Sequence, residues 1–139
     1  MTSAETKNKQ ILINPPGTEK IYERMQFPQA VKVGDTVWVS GQVGMDPKGV
    51  AGEGIEAQTR MAFQNLKRVL EAAGGGLDDI VELVTYHRSM GDIGNFGKVK
   101  AEFITTNYPA WTAVGVTELA FPQLLVEIKA TAVIGSGKK

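Results

Sequence analysis

"YPAWTAVGV", residues 108–116, joins two segments of different periodicity. The residues before it carry apolar side chains at helical spacing, and Pro109 separates that helix from the next segment. Residues 113–116 have the apolar, partly β-branched character of a short strand. Trp111, one of two tryptophans in the chain, stands at this junction. Because binding residues often lie where a strand meets a loop, position 111 is a candidate site residue.

The longest strand is predicted at "LLVEIKATAVI", residues 124–134, where side chains alternate between two faces of different character. One face is purely apolar and suits packing under helices. The other is mixed, as a subunit interface or a ligand site would be. The apolar face carries Val126, Ile128, Ala130 and Ala132, and the mixed face carries Leu125, Glu127, Lys129, Thr131 and Val133.

The remaining segments predict an α/β domain. Residues 11–14 favour a short edge strand, and the Gly34-Asp35 pair predicts a hairpin between two extended runs. Residues 54–73 predict an amphipathic helix that ends at three glycines, and residues 80–88 predict another strand. A second helix is expected to begin at Asp92 as its N-cap. The result is a mixed sheet of about six strands with two helices on one face. The opposite face needs a partner, which self-association would supply as a homo-oligomer.

Composition excludes several classes of function. Lys and Arg total 15 against 15 for Asp and Glu, so no overall charge favours nucleic acid or an anionic membrane. The chain has no cysteine and a single histidine, His87, which excludes disulfides, thiolate ligands and sites of several imidazoles. We expect a cytoplasmic protein without a membrane segment, because no run has the composition of a signal or a span. We predict one domain over residues 11–134 between flexible tails at 1–10 and 135–139.

Several motifs together resemble the RidA family, also called YjgF or L-PSP, the reactive-intermediate deaminases. They are "QAVKVGDTVWVSGQVGMDPKG" at 29–49, "IEAQTRMAFQNLKRVLEAAG" at 55–74, "LDDIV" at 77–81, and the segments "YPAWTAVGV" and "LVEIKATAV". The resemblance covers about residues 26–134. It implies a chorismate-mutase-like fold assembled as a homotrimer, with a small-molecule ligand in each cleft between subunits. It also implies hydrolysis of enamines and imines released by pyridoxal-phosphate enzymes, without a metal or cofactor.

The resemblance assigns roles to particular residues. Glu127 matches the family glutamate that positions the attacking water, and Gly41 in "VSGQ" matches a glycine of the cleft. Phe27 falls where the family has a tyrosine, and Trp111 falls where it has the arginine that pairs with the substrate carboxylate. Ala113, in the same strand as Trp111, is also a candidate substrate-binding residue.

Replacing arginine by tryptophan at position 111 is a large chemical change. Arginine offers two charge-assisted hydrogen bonds to a carboxylate, and tryptophan offers one neutral N–H and an apolar face. A simple 2-imino acid should therefore bind poorly, while a planar ligand could stack on Trp111 next to Phe27. Two structural interpretations stay open: Trp111 as interface filler, and Glu127 as one half of an ion pair between subunits.

Three functions are compatible with these residues. The first is an imine or enamine hydrolase of altered specificity, in which Glu127 activates water. The second is a trimer that binds a small metabolite, or acts as a chaperone, without catalysis. The third, endoribonuclease or translation inhibitor, ranks last because the charge is balanced and no basic, aromatic surface pattern is evident.

Overall fold

A computed structural model describes residues 7–137. One six-stranded sheet runs through this part of the chain, with two long helices on one of its faces. The strands are β1 (Ile11–Ile13), β2 (Ala30–Val33), β3 (Thr36–Val43), β4 (Ile80–His87), β5 (Ala110–Gly115) and β6 (Val126–Val133). The helices are α1 (Glu19–Met25), α2 (Gly54–Ala72) and α3 (Ile93–Phe103), and 3₁₀ turns occupy Leu77–Asp79 and Met90–Asp92. This architecture confirms the predicted α/β fold class.

The strands lie in the order β1-β2-β3-β6-β4-β5. All neighbours are antiparallel except β4 and β5, which are parallel and are connected through α3. The two-residue turn at Gly34-Asp35 connects β2 to β3, and Gly34 has a positive φ of 59°. That conformation suits glycine and confirms the hairpin prediction.

The core lies between the sheet and the two long helices. The apolar side chains of α2 and α3 pack against each other and against the face of β6 that the period-two pattern marks as apolar. That face and the predicted inner face of α2 are confirmed by the buried residues, which include Val126, Ile128, Ala130, Ala132, Ala62, Phe63, Leu66, Val69 and Leu70. Because both helices lie on this side, neither of them covers the opposite side of the sheet.

We call this opposite side of the sheet the open face. Trp38, Gly41, Tyr86, Glu127 and Lys129 lie on it. Alternation places Trp38, Tyr86, Glu127 and Lys129 there, because their sequence neighbours point into the helical core. Gly41 lies there because the β3–β6 register shifts between Val39 and Gln42, which brings Gly41 against the Glu127 side chain. Trp38 is 46% exposed there. The open face is the surface that the sequence predicts to be covered by self-association.

Two local expectations differ from the structure. No helix is predicted between the strand at residues 11–14 and the Gly34-Asp35 hairpin, but this segment contains the seven-residue helix α1, none of whose residues is buried. Asp92 is expected to cap the second helix, but its side chain makes no capping hydrogen bond. The chain instead enters α3 through the 3₁₀ turn at Met90–Asp92, so Asp92 already has helical dihedrals.

The predicted tails and domain limits stay predictions. Residues 1–6 and 138–139 lie outside the described part of the chain. Residues 135–137 follow β6, and the backbone N–H groups of Gly135 and Gly137 donate to the Asp79 carboxylate at 3.1 Å each. Across residues 7–137, no helix has both the length and the apolar character needed to cross a membrane.

Candidate functional site

A cavity of about 430 Å³ opens on the open face, where β3, β4 and β6 run side by side. Its floor is formed by strand residues and its wall by the loop that leads from β5 to β6. The lining residues are Gly41, Tyr86, Val116, Glu118, Leu119, Ala120, Glu127 and Lys129. Two of the five residues predicted for the site, Glu127 and Gly41, therefore lie together in it.

Gly41 and Glu127 are in direct proximity. A Cβ atom at position 41 would overlap Oε1 of the Glu127 carboxylate, so only glycine leaves the carboxylate in its observed place. The backbone has room to approach because the β3–β6 register shifts between Val39 and Gln42. Such bulges reorient side chains next to functional sites.

Side chains within the bulge bond to the segment that precedes β2 and hold the bulge in place. The Ser40 hydroxyl donates to the carbonyl of Pro28 at 2.8 Å, and the Gln42 amide donates to Oε1 of Gln29 at 3.0 Å. Gln29 and Gln42 are both buried. The "VSGQ" motif thus places Gly41 against Glu127 through the two polar residues that flank it.

The Glu127 carboxylate lies in a partly desolvated position. It is half-buried, and burial raises its pKa above the ordinary value of 4.5. Among the described residues, no basic side chain lies within 4 Å of the Glu127 carboxylate. Desolvation without a compensating cation favours the protonated form, which brings the carboxyl group closer to a working range for proton transfer.

Hydrogen bonds from two side chains hold the loop that forms the wall of the cavity. The Arg88 guanidinium donates to the carbonyl of Pro122 at 2.7 Å. Gln58, a buried residue of α2, donates to the carbonyl of Gln123 at 2.9 Å and accepts from the N–H of Leu125 at 2.7 Å. Arg88 therefore anchors the wall rather than lining the cavity.

Tyr86 and Lys129 belong to the cavity although the sequence motifs single out neither as a site residue. Tyr86 is directly opposite Glu127 in the β4–β6 register, and Lys129 follows Glu127 by two residues on the same strand face. The period-two pattern of β6 places Lys129 on the mixed face with Glu127, so the sequence alone could have identified Lys129 as a neighbour of the site. Tyr86 can be found only once β4 is known to pair with β6.

Trp111 lies on the other face of the sheet. Its partner in the parallel register is Leu83, a buried core residue, and its indole N–H donates to Oγ1 of Thr85 at 2.9 Å. The ring centroid lies 5.8 Å from that of Phe96 and 4.7 Å from the ammonium of Lys100. Within one subunit Trp111 is therefore separated from Glu127 by the sheet, although it is still 40% exposed.

Thr85 connects Trp111 to His87. The Thr85 hydroxyl lies 2.7 Å from Nε2 of His87, which is fully buried. The His87 ring packs edge-on against the Phe96 ring, with 4.8 Å between the two ring centroids. Burial lowers the pKa of His87 below 6.5, and the nearby Asp92 opposes this only in part. His87 is thus a neutral core residue, consistent with the structural role that its isolation suggests.

The other predicted residues are also outside the cavity lining. Phe27 is 37% exposed and lies two residues before Gln29, one of the groups that hold the bulge. Ala113 is opposite Thr85 in the β4–β5 register, on the same side of the sheet as Trp111. The substrate-binding roles of Phe27, Trp111 and Ala113 therefore stay predictions.

Comparison with known proteins agrees with the fold and the motifs. Residues 17–134 match the model of the family described as Endoribonuclease L-PSP. A RutC family protein of Saccharolobus solfataricus is 41% identical over 108 residues, covering 76% of this chain and 85% of the relative. A 2-iminobutanoate/2-iminopropanoate deaminase of Dermatophagoides farinae is 38% identical over 111 residues, covering 78% of this chain and 85% of the relative.

A solved structure of a RidA protein has the same fold as this chain. The crystal structure of RidA from the Antarctic bacterium Psychrobacter sp. superposes with a TM-score of 0.75 at 38% identity, and the match covers 78% of this chain and 88% of that one. Sequence motifs, family model and fold all agree. This chain therefore belongs to the RidA/YjgF/L-PSP family.

Proposed function

We propose that this protein hydrolyses the C–N bond of small imines or enamines, with Glu127 activating the water. The observation that carries the proposal is the half-buried Glu127 carboxylate with a raised pKa, held against Gly41 in a cavity of about 430 Å³. Relatives named 2-iminobutanoate/2-iminopropanoate deaminase support the reaction class.

The chemistry needs one group that can take up a proton and return it. The Glu127 carboxylate accepts a proton from water as the water oxygen bonds to the carbon of the protonated imine, which gives a neutral carbinolamine. The resulting carboxylic acid donates that proton to the nitrogen, so that ammonia becomes the leaving group. The carboxylate then accepts the hydroxyl proton of the carbinolamine as the C–N bond breaks and the carbonyl forms, and it passes this proton to solvent, which returns Glu127 to its starting state. A carboxyl group whose pKa is raised towards the working pH suits both halves of this exchange.

Substrate specificity is proposed to differ from that of a deaminase with arginine at position 111. The indole of Trp111 carries no charge, and its single N–H is already used by Thr85. Phe27 likewise has no hydroxyl to offer. A 2-imino acid therefore lacks a bidentate carboxylate partner here, which favours ligands recognised by shape or by another cation.

We further propose that the active form is a homotrimer with the ligand in clefts between subunits. The support is physical: the open face leaves Trp38 46% exposed, on a sheet whose other side is packed under the helices. Val114, which is opposite Tyr86 in the β4–β5 register and therefore on the same face, is 36% exposed. A second subunit would cover this surface and close the cavity around Glu127, which would further exclude water.

The test compares wild type with Glu127→Gln, which keeps the shape of the side chain and removes the base. Ammonia release is followed from freshly generated 2-imino acids with small and with aromatic side chains. Wild type should exceed the variant by at least about a hundredfold, in line with the loss of a general base, while light scattering shows the same assembly for both. Equal rates would refute the proposed role of Glu127.

A second candidate, a trimer that binds a metabolite without turnover, is favoured by one observation. Trp111 is engaged inside its own subunit by Thr85 and Lys100, so the family's arginine function has no direct equivalent at that position. Ligand-induced quenching of tryptophan fluorescence, with no product formed from any imine, would favour this function over hydrolysis.

A further inference from the structure

We infer that Lys129 binds the carboxylate of the substrate, and so supplies from the floor of the cavity the cation that position 111 lacks. The inference rests on the proposed hydrolysis, because it assigns the anchoring group of that same site.

Strand geometry places Lys129 beside the reacting group. Lys129 and Glu127 are alternate residues of β6 on one face, so their Cα atoms are separated by about 6.6 Å. Both line the same cavity, with Tyr86 opposite Glu127 on β4. A ligand of a few heavy atoms can therefore contact the ammonium while its C–N carbon faces the Glu127 carboxylate.

The ammonium of Lys129 is available for a ligand. Its side chain is exposed, and within residues 7–137 no carboxylate lies within 4 Å of it. The other charged lining residue besides Glu127 is Glu118, on the loop wall, and it makes no ion pair with Lys129. Lys129 is thus the one cation among the described residues that line this cavity.

The rival cation is Lys100, next to Trp111. Its ammonium lies 4.7 Å from the Trp111 ring and 5.9 Å from the Tyr108 ring, but on the helical side of the sheet. Within a subunit it cannot share a ligand with Glu127. Lys129 can, because it shares a strand face with the carboxylate.

A lysine anchor has a consequence for specificity. An ammonium is a compact point charge on a flexible stem, and it does not impose the fixed fork geometry of a guanidinium. Lys129 should accept carboxylates at varying distances from the C–N bond, whereas arginine would favour one geometry. We expect a broader range of imino acids than a bidentate clamp would allow.

The experiment measures KM and kcat for 2-iminobutanoate, and the affinity for 2-oxobutanoate by calorimetry, in four variants. Lys129→Met removes the charge and Lys129→Arg keeps it, while Lys100→Met tests the rival cation. Lys98→Met is the matched control, because Lys98 is an exposed lysine of α3. Lys129→Gln replaces the methionine variant if that variant aggregates, and circular dichroism and light scattering check fold and assembly.

We expect Lys129→Met to raise KM about tenfold or more with a much smaller change in kcat, since a hydrogen bond to a charged group is lost. Lys129→Arg should restore most of the affinity, and Lys98→Met should match wild type. An unchanged KM in Lys129→Met, or the effect appearing in Lys100→Met instead, would overturn the inference while leaving hydrolysis intact.

Absence of turnover in wild type would refute the proposed function separately, and the binding data would then decide. Affinity for 2-oxobutanoate that is present in wild type and lost in Lys129→Met would still support the carboxylate site. Equal affinity in both, or no binding to wild type, would overturn it.

Discussion

At the scale of single residues, Gly41 and Glu127 act as one unit. The sequence points to both through the family resemblance, but it does not show that a side chain at position 41 would occupy the space of the Glu127 carboxylate. That relation depends on the bulge in β3, which Ser40 and Gln42 hold through bonds to a different segment. No local pattern in "VSGQ" reveals those partners.

The substitution Gly41→Ala should displace the Glu127 carboxylate and reduce kcat at least about tenfold, because small errors in position are costly for a catalytic group. The fold should remain, since the added methyl group meets only the flexible end of a side chain. Steady-state kinetics with thermal unfolding would measure both effects.

Gly94→Ala is the control for this substitution. Gly94 lies in α3 with open space around its Cα, so alanine there should preserve activity and stabilise the helix by about 0.5–1 kcal/mol. Full activity in Gly41→Ala would show that the carboxylate need not stay where the structure has it.

Trp111 shows the limit of reasoning from single residues. The sequence correctly places it at the start of a strand, but a strand has two faces, and the choice between them is fixed by pairing. In the parallel register with β4, Trp111 lies beside Leu83, and its indole N–H donates to Oγ1 of Thr85. Because β4 and β5 are distant in sequence, this register is not predictable from their own residues.

At the scale of elements, helices and strands with a strong hydrophobic period are predicted well, and those with a weak period are not. α2 and β6 have clear apolar faces, and both are predicted within a few residues of their observed limits. α1 is only seven residues long, so its three apolar residues, Ile21, Tyr22 and Met25, are too few to establish a helical period, and none of them is buried. The strand order, with β6 between β3 and β4, arises from long-range pairing that the sequence does not encode locally.

Asp79 links two elements that are far apart in sequence. Its buried carboxylate accepts from the backbone N–H groups of Gly76, Gly135 and Gly137, each at 3.1 Å. It thereby connects the beginning of β4 to the chain that leaves β6. No sequence pattern singles out Asp79, because its partners are backbone groups.

Asp79→Ala should lower the free energy of unfolding by about 2–4 kcal/mol, since three backbone N–H groups lose their side-chain acceptor. Chemical denaturation would measure the change. Asp78→Ala is the matched control: this neighbouring carboxylate is exposed, so its loss should change stability by less than about 0.5 kcal/mol. Equal effects of the two substitutions would contradict the role given to Asp79.

At the scale of the whole molecule, the proposed assembly depends on the open face. Trp38→Glu would place a charge on that face, where burial against another subunit would be costly. We expect light scattering to show an oligomer for wild type and a smaller species for the variant. Lys98→Glu, at an exposed position on the helical side, should leave the mass unchanged. A monomeric wild type would refute the proposed trimer.

The most direct test of Glu127 as the base is the pH dependence of kcat/KM for imine hydrolysis, with Glu127→Gln at each pH to subtract uncatalysed decay. Glu127 must be ionised to accept a proton from water, and burial raises its pKa above 4.5. Activity should therefore fall as pH decreases through a value above 4.5, and the variant should lack this limb. A rate that stays flat down to pH 4.5, or one that never exceeds the variant, would contradict the assignment of Glu127 as the base.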